Sequence, residues 1–329
     1  MKNIQADIKS GNFKQVYLLY GEEAYLKQQY KQNLVKALNP DGDTMNFNHY
    51  EGKGIDVKQL IDLCETMPFF AERRVVLLED TGFFKNKCEE LADYMKELPD
   101  YLYLVFAETE VDKRNRMYKA VKACGSIAEF IRQDEKTLMR WAAGILGKAG
   151  KKITQRDMEL LLTKTGTDMG NLRMEMEKLI SYTEGRDVVT AEDIEEICTT
   201  QTTNRIFDMV RAVTEKNQKR ALELYYDLLT LKEEPPMRIL FLLAKQYRQL
   251  LLAKQFAAAG LAQTEIASKL GVPGFVVRNI TTCARAYTIS ELEQAVKDFV
   301  DAEESVKTGR LEDKLSVELL IIKYSSKVK

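Results

Sequence analysis

A strand-like run, Val16-Tyr17-Leu18-Leu19-Tyr20, stops at Gly21 and leads into Gly21-Glu22-Glu23-Ala24-Tyr25-Leu26-Lys27. A nucleoside triphosphatase carries G-x-x-x-x-G-K-[ST] at this place. Its glycines free backbone amides to cradle phosphates, its Lys reaches the β/γ-phosphates and its Ser/Thr hydroxyl holds the metal. Here there is one glycine, no Gly-Lys-Ser/Thr, and two carboxylates that would repel a triphosphate. The segment therefore predicts a domain that does not bind ATP in the usual way. Glu79-Asp80 closes the run Val75-Val76-Leu77-Leu78, as a metal-binding acidic pair does in such enzymes. With no phosphate loop to serve, the pair is expected to be a solvated strand end. His49 is the only histidine, which leaves no credible Ser-His-Asp or Cys-His set; it is expected at a strand edge. The five cysteines, Cys64, Cys88, Cys124, Cys198 and Cys283, are odd in number and far apart, without metal-ligand spacing. No catalytic residue, metal or cofactor is expected.

A binding candidate lies at Met67-Pro68-Phe69-Phe70. A helix ends at Cys64-Glu65-Thr66, because Pro68 cannot extend it and biases Met67 away from the α region. Phe69 and Phe70 then stand on a turn before the charged stretch Glu72-Arg73-Arg74. Neighbours on a regular strand point to opposite faces, so both rings cannot enter one core from such a strand. An exposed aromatic on a stiff turn suits an apolar pocket on a partner. The bland alternative is that both rings cap the local core.

The elements that carry these residues fall into three blocks. The first alternates apolar runs (16–20, 75–78, 101–106 and a short one at 126–130) with helical patterns near 23–38, 56–65, 83–97 and 112–123. Such alternation predicts a mainly parallel sheet with crossover helices. After Gln133-Asp134 no strand is evident. Residues 137–200 read as a small helical unit, with Leu172, Met176, Leu179 and Ile180 on one face of a helix over 169–182. Thr190-Ala191-Glu192-Asp193 resembles a capping box, and Trp141 is expected to pack. From about Asn204 the chain reads as a helix bundle built around an almost wholly apolar stretch, Ile239 to Phe256. The predicted domains are 1–136, 137–203 and 204–329.

Composition adds limits. A net charge of -1, with 45% hydrophobic and 30% charged residues, describes an ordinary globular chain with no strong basic field for nucleic acid. The start of the chain lacks a secretory pattern and no apolar run is long enough to span a bilayer. A reducing, cytoplasmic setting fits the cysteines, with no membrane partner.

The order of segments resembles the delta-subunit family of the bacterial replicative clamp loader. The resemblance rests on Tyr17-Leu18-Leu19-Tyr20-Gly21-Glu22-Glu23, on Met67-Pro68-Phe69-Phe70-Ala71-Glu72-Arg73-Arg74-Val75-Val76, and on Val111-Asp112-Lys113-Arg114-Asn115-Arg116-Met117-Tyr118-Lys119-Ala120. Asn171 to Leu179, and Lys307-Thr308-Gly309-Arg310 before the last helix, add to it. It implies an AAA+-like α/β domain without ATPase chemistry, followed by two all-α domains, a lid and a collar. It implies a non-catalytic wrench of the DNA polymerase III holoenzyme that binds the sliding clamp (the beta ring) and opens it for loading on primed DNA. Its partners would be the ATPase subunits and delta-prime, joined through the collar, with primer-template DNA touched only in the assembled loader. The family places its clamp-binding pair at the turn matched here by Met67, Pro68, Phe69 and Phe70. Better-known members have an aliphatic residue followed by Phe, whereas both are Phe here.

Two rival readings come from other residues. Gln263 to Pro273, followed by Phe275-Val276-Val277-Arg278, has the outline of a helix-turn-helix DNA-binding regulator, although few phosphate-contacting side chains follow. An active ATPase with a degenerate loop is the other. Lys113, Arg114 and Arg116 are expected to be a solvated helix start, with a neighbouring subunit or DNA as the alternative.

Overall fold

The computed structural model describes residues 2–199, 202–231 and 234–326, in two compact units, Met1–Gln133 and Asp134–Lys329. In chain order the first unit comprises α1 (Lys2–Ser10), β1 (Val16–Tyr20), α2 (Ala24–Leu38), β2 (Phe47–Glu51), α3 (Val57–Glu65), β3 (Arg74–Glu79), α4 (Glu89–Tyr94), β4 (Leu102–Glu108), α5 (Arg116–Cys124) and β5 (Ser126–Glu129).

The five strands form one sheet in the order β2-β3-β4-β1-β5, every pairing parallel. Their alternating side chains feed two cores, as the two-residue period requires. Val16, Leu18, Val76, Leu78, Leu104 and Phe106 face Leu60 and Cys64 of α3, Leu91 of α4, and Met117 and Val121 of α5. Tyr17, Leu19, Val75, Leu77 and Val105 face Ile4 of α1 and Leu34 and Leu38 of α2. β2 is a half-exposed edge strand and carries His49. A parallel α/β sheet unit followed by a mainly helical unit is thus the observed fold class.

Three elements of this unit depart from the sequence reading, among them β2, which no apolar run marks. The expected helix over 83–97 shrinks to α4. Residues 81–88 instead form a loop that buries Phe83 and Phe84, the latter edge-on to Phe106 at 5.2 Å. The Asn115 side chain donates to the Asn86 carbonyl at 2.9 Å, and the Asp112 amide donates to the Phe84 carbonyl at 3.0 Å. The tertiary contacts that seat Phe84 thereby override helical propensity. Helix α1 had no sequence signal beyond Ile4; the Tyr17 hydroxyl ties it down by donating to Asp7 at 2.9 Å.

The second unit runs α6 (Glu135–Lys148), β6 (Lys152–Ile153), α7 (Gln155–Thr165), α8 (Met169–Tyr182), β7 (Val188–Val189), α9 (Ala191–Ile197), α10 (Thr202–Thr214), α11 (Gln218–Leu231), α12 (Pro236–Ala258), α13 (Gln263–Leu270), α14 (Gly274–Ala284), α15 (Ile289–Lys307) and α16 (Asp313–Ser325). Strands β6 and β7 pair in parallel over two residues each, which corrects the strand-free reading; two residues are too few to show a period.

This unit has two apolar cores. One gathers Ala142, Leu146, Leu161, Leu172, Met176, Leu179, Val189 and Ile194, with Trp141 half-buried against it. The other gathers residues between Ile206 and Ile321. The Thr190–Asp193 capping box is present, the Thr190 amide donating to the Asp193 carboxylate at 2.9 Å. Helix α12 is central to the second core and packs against α10, α13, α14, α15 and α16. Its Tyr247 is buried among Tyr287, Phe299 and Tyr324.

Candidate functional site

The turn between α3 and β3 holds all four candidate residues. Helix α3 is opened by Asp56, whose carboxylate accepts from the amides of Lys58 and Gln59. It ends at Glu65, and Thr66 is already extended (φ -73°, ψ 121°), one residue ahead of Met67, which Pro68 bars from the α region. Beyond it Met67, Phe69 and Phe70 are 75%, 56% and 96% exposed, and Pro68 is half-buried. The structure therefore rejects the alternative in which the rings cap their own core. The two rings meet edge to face, 4.5 Å between centroids at 81°, a geometry that ring quadrupoles favour. Phe70 adopts φ 49°. The left-handed region is uncommon for a bulky side chain and costs about 1–2 kcal/mol, so surrounding contacts must hold it.

Those contacts come from two buried polar residues. The Asn46 side chain is bonded to both backbone groups of Phe69: it accepts from the amide at 2.6 Å and donates to the carbonyl at 2.8 Å. Arg74, the first residue of β3, donates from Nε to the Thr66 carbonyl at 2.8 Å, from Nη2 to the Met67 carbonyl at 3.3 Å and from Nη1 to Asn48 at 3.2 Å. Arg74 is 5% exposed, so it is not part of a solvated charged stretch. Its guanidinium supplies charge-assisted bonds to carbonyls that the end of α3 leaves free. Neither residue was singled out from sequence. Arg74 could have been suspected as a cation at the head of a buried apolar run; Asn46 gave no signal.

The loop after β1, where a phosphate loop would be sought, packs backbone to backbone on Phe130. Gly21 has φ 124°, and a Cβ there would lie 2.3 Å from the Phe130 carbonyl oxygen. That oxygen accepts from the Glu23 amide at 3.0 Å, while the Phe130 amide donates to the Tyr20 carbonyl at 2.7 Å. Glu22 is exposed and Glu23 buried. Lys27 donates to the Glu108 carbonyl at 2.9 Å rather than pointing to an anion site, and burial lowers its pKa.

Nor is Glu79 the solvated strand end expected. Helix α2 brings Lys31 over the ends of the strands, and Glu79 pairs with it at 2.6 Å and lies 2.9 Å from His49 Nε2. Asp80 accepts from the amide and hydroxyl of Thr109 at 2.9 and 2.8 Å. Among the described residues no group of three or more His, Cys, Asp and Glu side chains is placed to hold a metal. Lys113, Arg114 and Arg116 pair with Glu129, Asp112 and Asp93.

Sequence reading missed Glu108, which is 2% exposed at the end of β4. It accepts from the Thr81 amide at 3.1 Å and hydroxyl at 2.6 Å. Burial raises its pKa, more than these bonds lower it. A carboxyl whose folded pKa lies above its unfolded one stabilises the fold fully at low pH and loses that contribution as pH rises through the raised value. Glu108→Gln should flatten this decline. In urea unfolding over a pH series, the stability of the variant relative to wild type should rise from about pH 4, the ordinary glutamate range, upward.

The helix-turn-helix outline is real in shape, with Gly271 left-handed between α13 and α14 (φ 64°). Its second helix, however, buries Val277, Ile280, Cys283 and Ala284 in the bundle core. The Thr281 and Thr282 hydroxyls bond back to their own helix at 2.9 and 2.8 Å, and Arg278 faces Glu159 at 3.7 Å. Few side chains are left on α14 to read a DNA groove. No described helix is long and apolar enough to cross a membrane.

Comparison with known proteins agrees over both units. Residues 17–130 match the family model for the DNA polymerase III delta subunit, and residues 203–324 match the model for its C-terminal domain. DNA polymerase III subunit delta of Bacillus subtilis (strain 168) is 26% identical over 333 residues, covering 97% of this chain and 95% of the relative. The probable DNA polymerase III subunit delta of Aquifex aeolicus (strain VF5) is 22% identical over 271 residues, covering 78% and 75%. The solved structure of the Bacillus subtilis DNA clamp loader delta protein superposes with a TM-score of 0.67 at 24% identity, covering 99% of both chains. With its sheet domain and its C-terminal helices matched by models of one family, and a relative similar along almost its whole length, the chain belongs to the DNA polymerase III delta-subunit family.

Proposed function

We propose that this clamp-loader subunit is the non-catalytic wrench of its complex, gripping the sliding clamp through Met67, Pro68, Phe69 and Phe70. The observation that carries the reading is the pair of exposed phenyl rings on a turn whose backbone is pinned by buried side chains. Aromatic anchors that enter a partner's pocket already oriented lose little entropy on binding. Ring opening follows if the gripped clamp is held in a shape that its closed interface does not match, since binding shifts an equilibrium only by its preference between the two states. The chain's own backbone beside Gly21 supports a division of labour in which other subunits bind and hydrolyse ATP.

In this reading residues 1–136 carry the grip, 137–203 form the lid and 204–329 the collar. Leu315, Leu319 and Ile322 lie exposed along α16 at spacings of four and three, and Phe241 of α12 is 66% exposed. These side chains suit contact with the ATPase subunits and delta-prime. Primer-template DNA would be met only in the assembled loader, in the cytoplasm.

The test is reconstitution with the cognate clamp and the loader ATPases, with calorimetric titration of ATP into the isolated chain. Stable capture of the clamp by the isolated chain, with no heat of ATP binding, is expected. Saturable ATP binding without clamp capture would replace this reading with that of an active ATPase.

A further inference from the structure

The geometry points to Asn46 as the positioning residue that sets how Phe69 and Phe70 meet the clamp, an inference that rests on the proposed clamp grip. Asn46 precedes the edge strand β2, 23 residues from Phe69 in the chain, yet it is 4% exposed and bonded to both the amide and the carbonyl of Phe69. One side-chain amide thus replaces the neighbouring strand that the turn lacks. The Asn46 backbone carbonyl at the same time accepts from the Val75 amide at 2.9 Å, fixing the residue to β3 just beyond the turn. Asp43 orients the amide by accepting from Asn46 Nδ2 at 2.5 Å. It is itself held by Asn39, which accepts from the Asp43 amide at 3.0 Å and donates to its carbonyl at 2.9 Å.

The arrangement makes physical sense for presentation rather than for burial. Phe69 and Phe70 gain little from their own core, and Phe70 sits in a left-handed conformation that its side chain disfavours. Without the pair of hydrogen bonds at Phe69, only the bonds of Arg74 to Thr66 and Met67, upstream of the rings, would still hold the turn. It would relax to extended forms in which the rings no longer meet edge to face. The clamp would then have to order the turn on binding, and affinity would fall by that ordering cost although no clamp-contacting atom had changed. Met45, next to Asn46, is 65% exposed, so the same residue also fixes where a second apolar side chain leaves the surface.

The experiment is a double-mutant cycle in clamp binding by the full chain, read by surface plasmon resonance with the purified cognate clamp immobilised. Asn46→Ala should weaken binding about tenfold, chiefly through a faster off-rate. In a Phe70→Ala background the same change should cost markedly less, because the ring it presents is gone. Asp43→Ala, at a half-exposed position, should give a smaller loss of the same kind and supplies the reading if Asn46→Ala does not fold. Wild-type affinity in both the Asn46 and Asp43 variants overturns the inference. So does an equal loss with and without Phe70, which would mark a general structural defect. Unchanged affinity in Phe69→Ala/Phe70→Ala would instead remove the grip itself, an outcome distinct from either.

Discussion

Replacing Phe69 and Phe70 together with alanine should lower affinity for the sliding clamp by roughly two to four orders of magnitude while leaving the fold intact. Each fully buried Phe contributes roughly 1.5–3 kcal/mol, and about 1.4 kcal/mol is a factor of ten in affinity. Phe70 starts almost wholly in water and Phe69 about half, 96% and 56% exposed, so most of that apolar transfer remains to be gained on a partner. By the same measure the variant gives up little in the free chain. What it loses is the edge-to-face contact between the rings, worth about 0.5–1.5 kcal/mol and offset by the freedom the exposed side chains recover. Equilibrium binding by calorimetry, paired with thermal unfolding, separates the two effects. A large fall in affinity at a nearly constant melting temperature is expected. Met67→Ala is the graded control: an exposed flexible side chain beside the pair should cost less than either ring.

The largest effect on stability should come from Gly21→Ala. A φ of 124° is open to glycine and closed to side-chain-bearing residues in practice, and the added Cβ would lie 2.3 Å from the Phe130 oxygen and 2.9 Å from its carbonyl carbon. The obstacle is backbone, so no rotamer relieves it. Phe130 cannot retreat without breaking the bonds by which its amide reaches Tyr20 and its carbonyl holds Glu23. Strain of this kind costs about 1–3 kcal/mol, and the broken pairing between β1 and the segment after β5 adds to it, for a total of about 3 kcal/mol or more. Urea unfolding of the isolated chain measures it directly. In the proposed reading the same contact accounts for the lack of ATP binding more fully than composition does. On that reading, removing the two carboxylates at Glu22 and Glu23 should not create ATP binding, because the Phe130 carbonyl still packs on the Gly21 backbone.

The two polar devices of this domain share a logic. At the ends of the strands, Glu79 and Glu108 face Lys31, His49 and Thr81. At the turn, Asn46 and Arg74 face backbone carbonyls and an amide. In both places buried polar groups are satisfied within the chain, as burial demands. At the ends of the strands these pairings join carboxylates to groups of the same domain, whereas at the turn they hold apolar side chains out toward solvent.

Short-range pattern was enough for the buried strands β1, β3 and β4 and for the exposed turn after α3. Runs 16–20, 75–78 and 101–106 became β1, β3 and β4 because continuous apolar residues must be covered on both faces, and period two divides them between the two cores. The missing Gly-Lys-Ser/Thr excluded the usual phosphate loop, and Pro68 placed a turn where two adjacent phenylalanines could not both be buried from a strand. Long-range contacts decided the rest. The edge strand β2 and the two-residue strands β6 and β7 are too polar or too short to show a period. The helix expected over 83–97 yields to the burial of Phe83 and Phe84. Glu79 pairs because α2 passes above it, and α14 faces its own bundle because α12 lies beneath. What holds Phe69 outward is an asparagine 23 residues earlier, a partnership made in space, where a side-chain amide leaves no periodic trace in the chain that bears it.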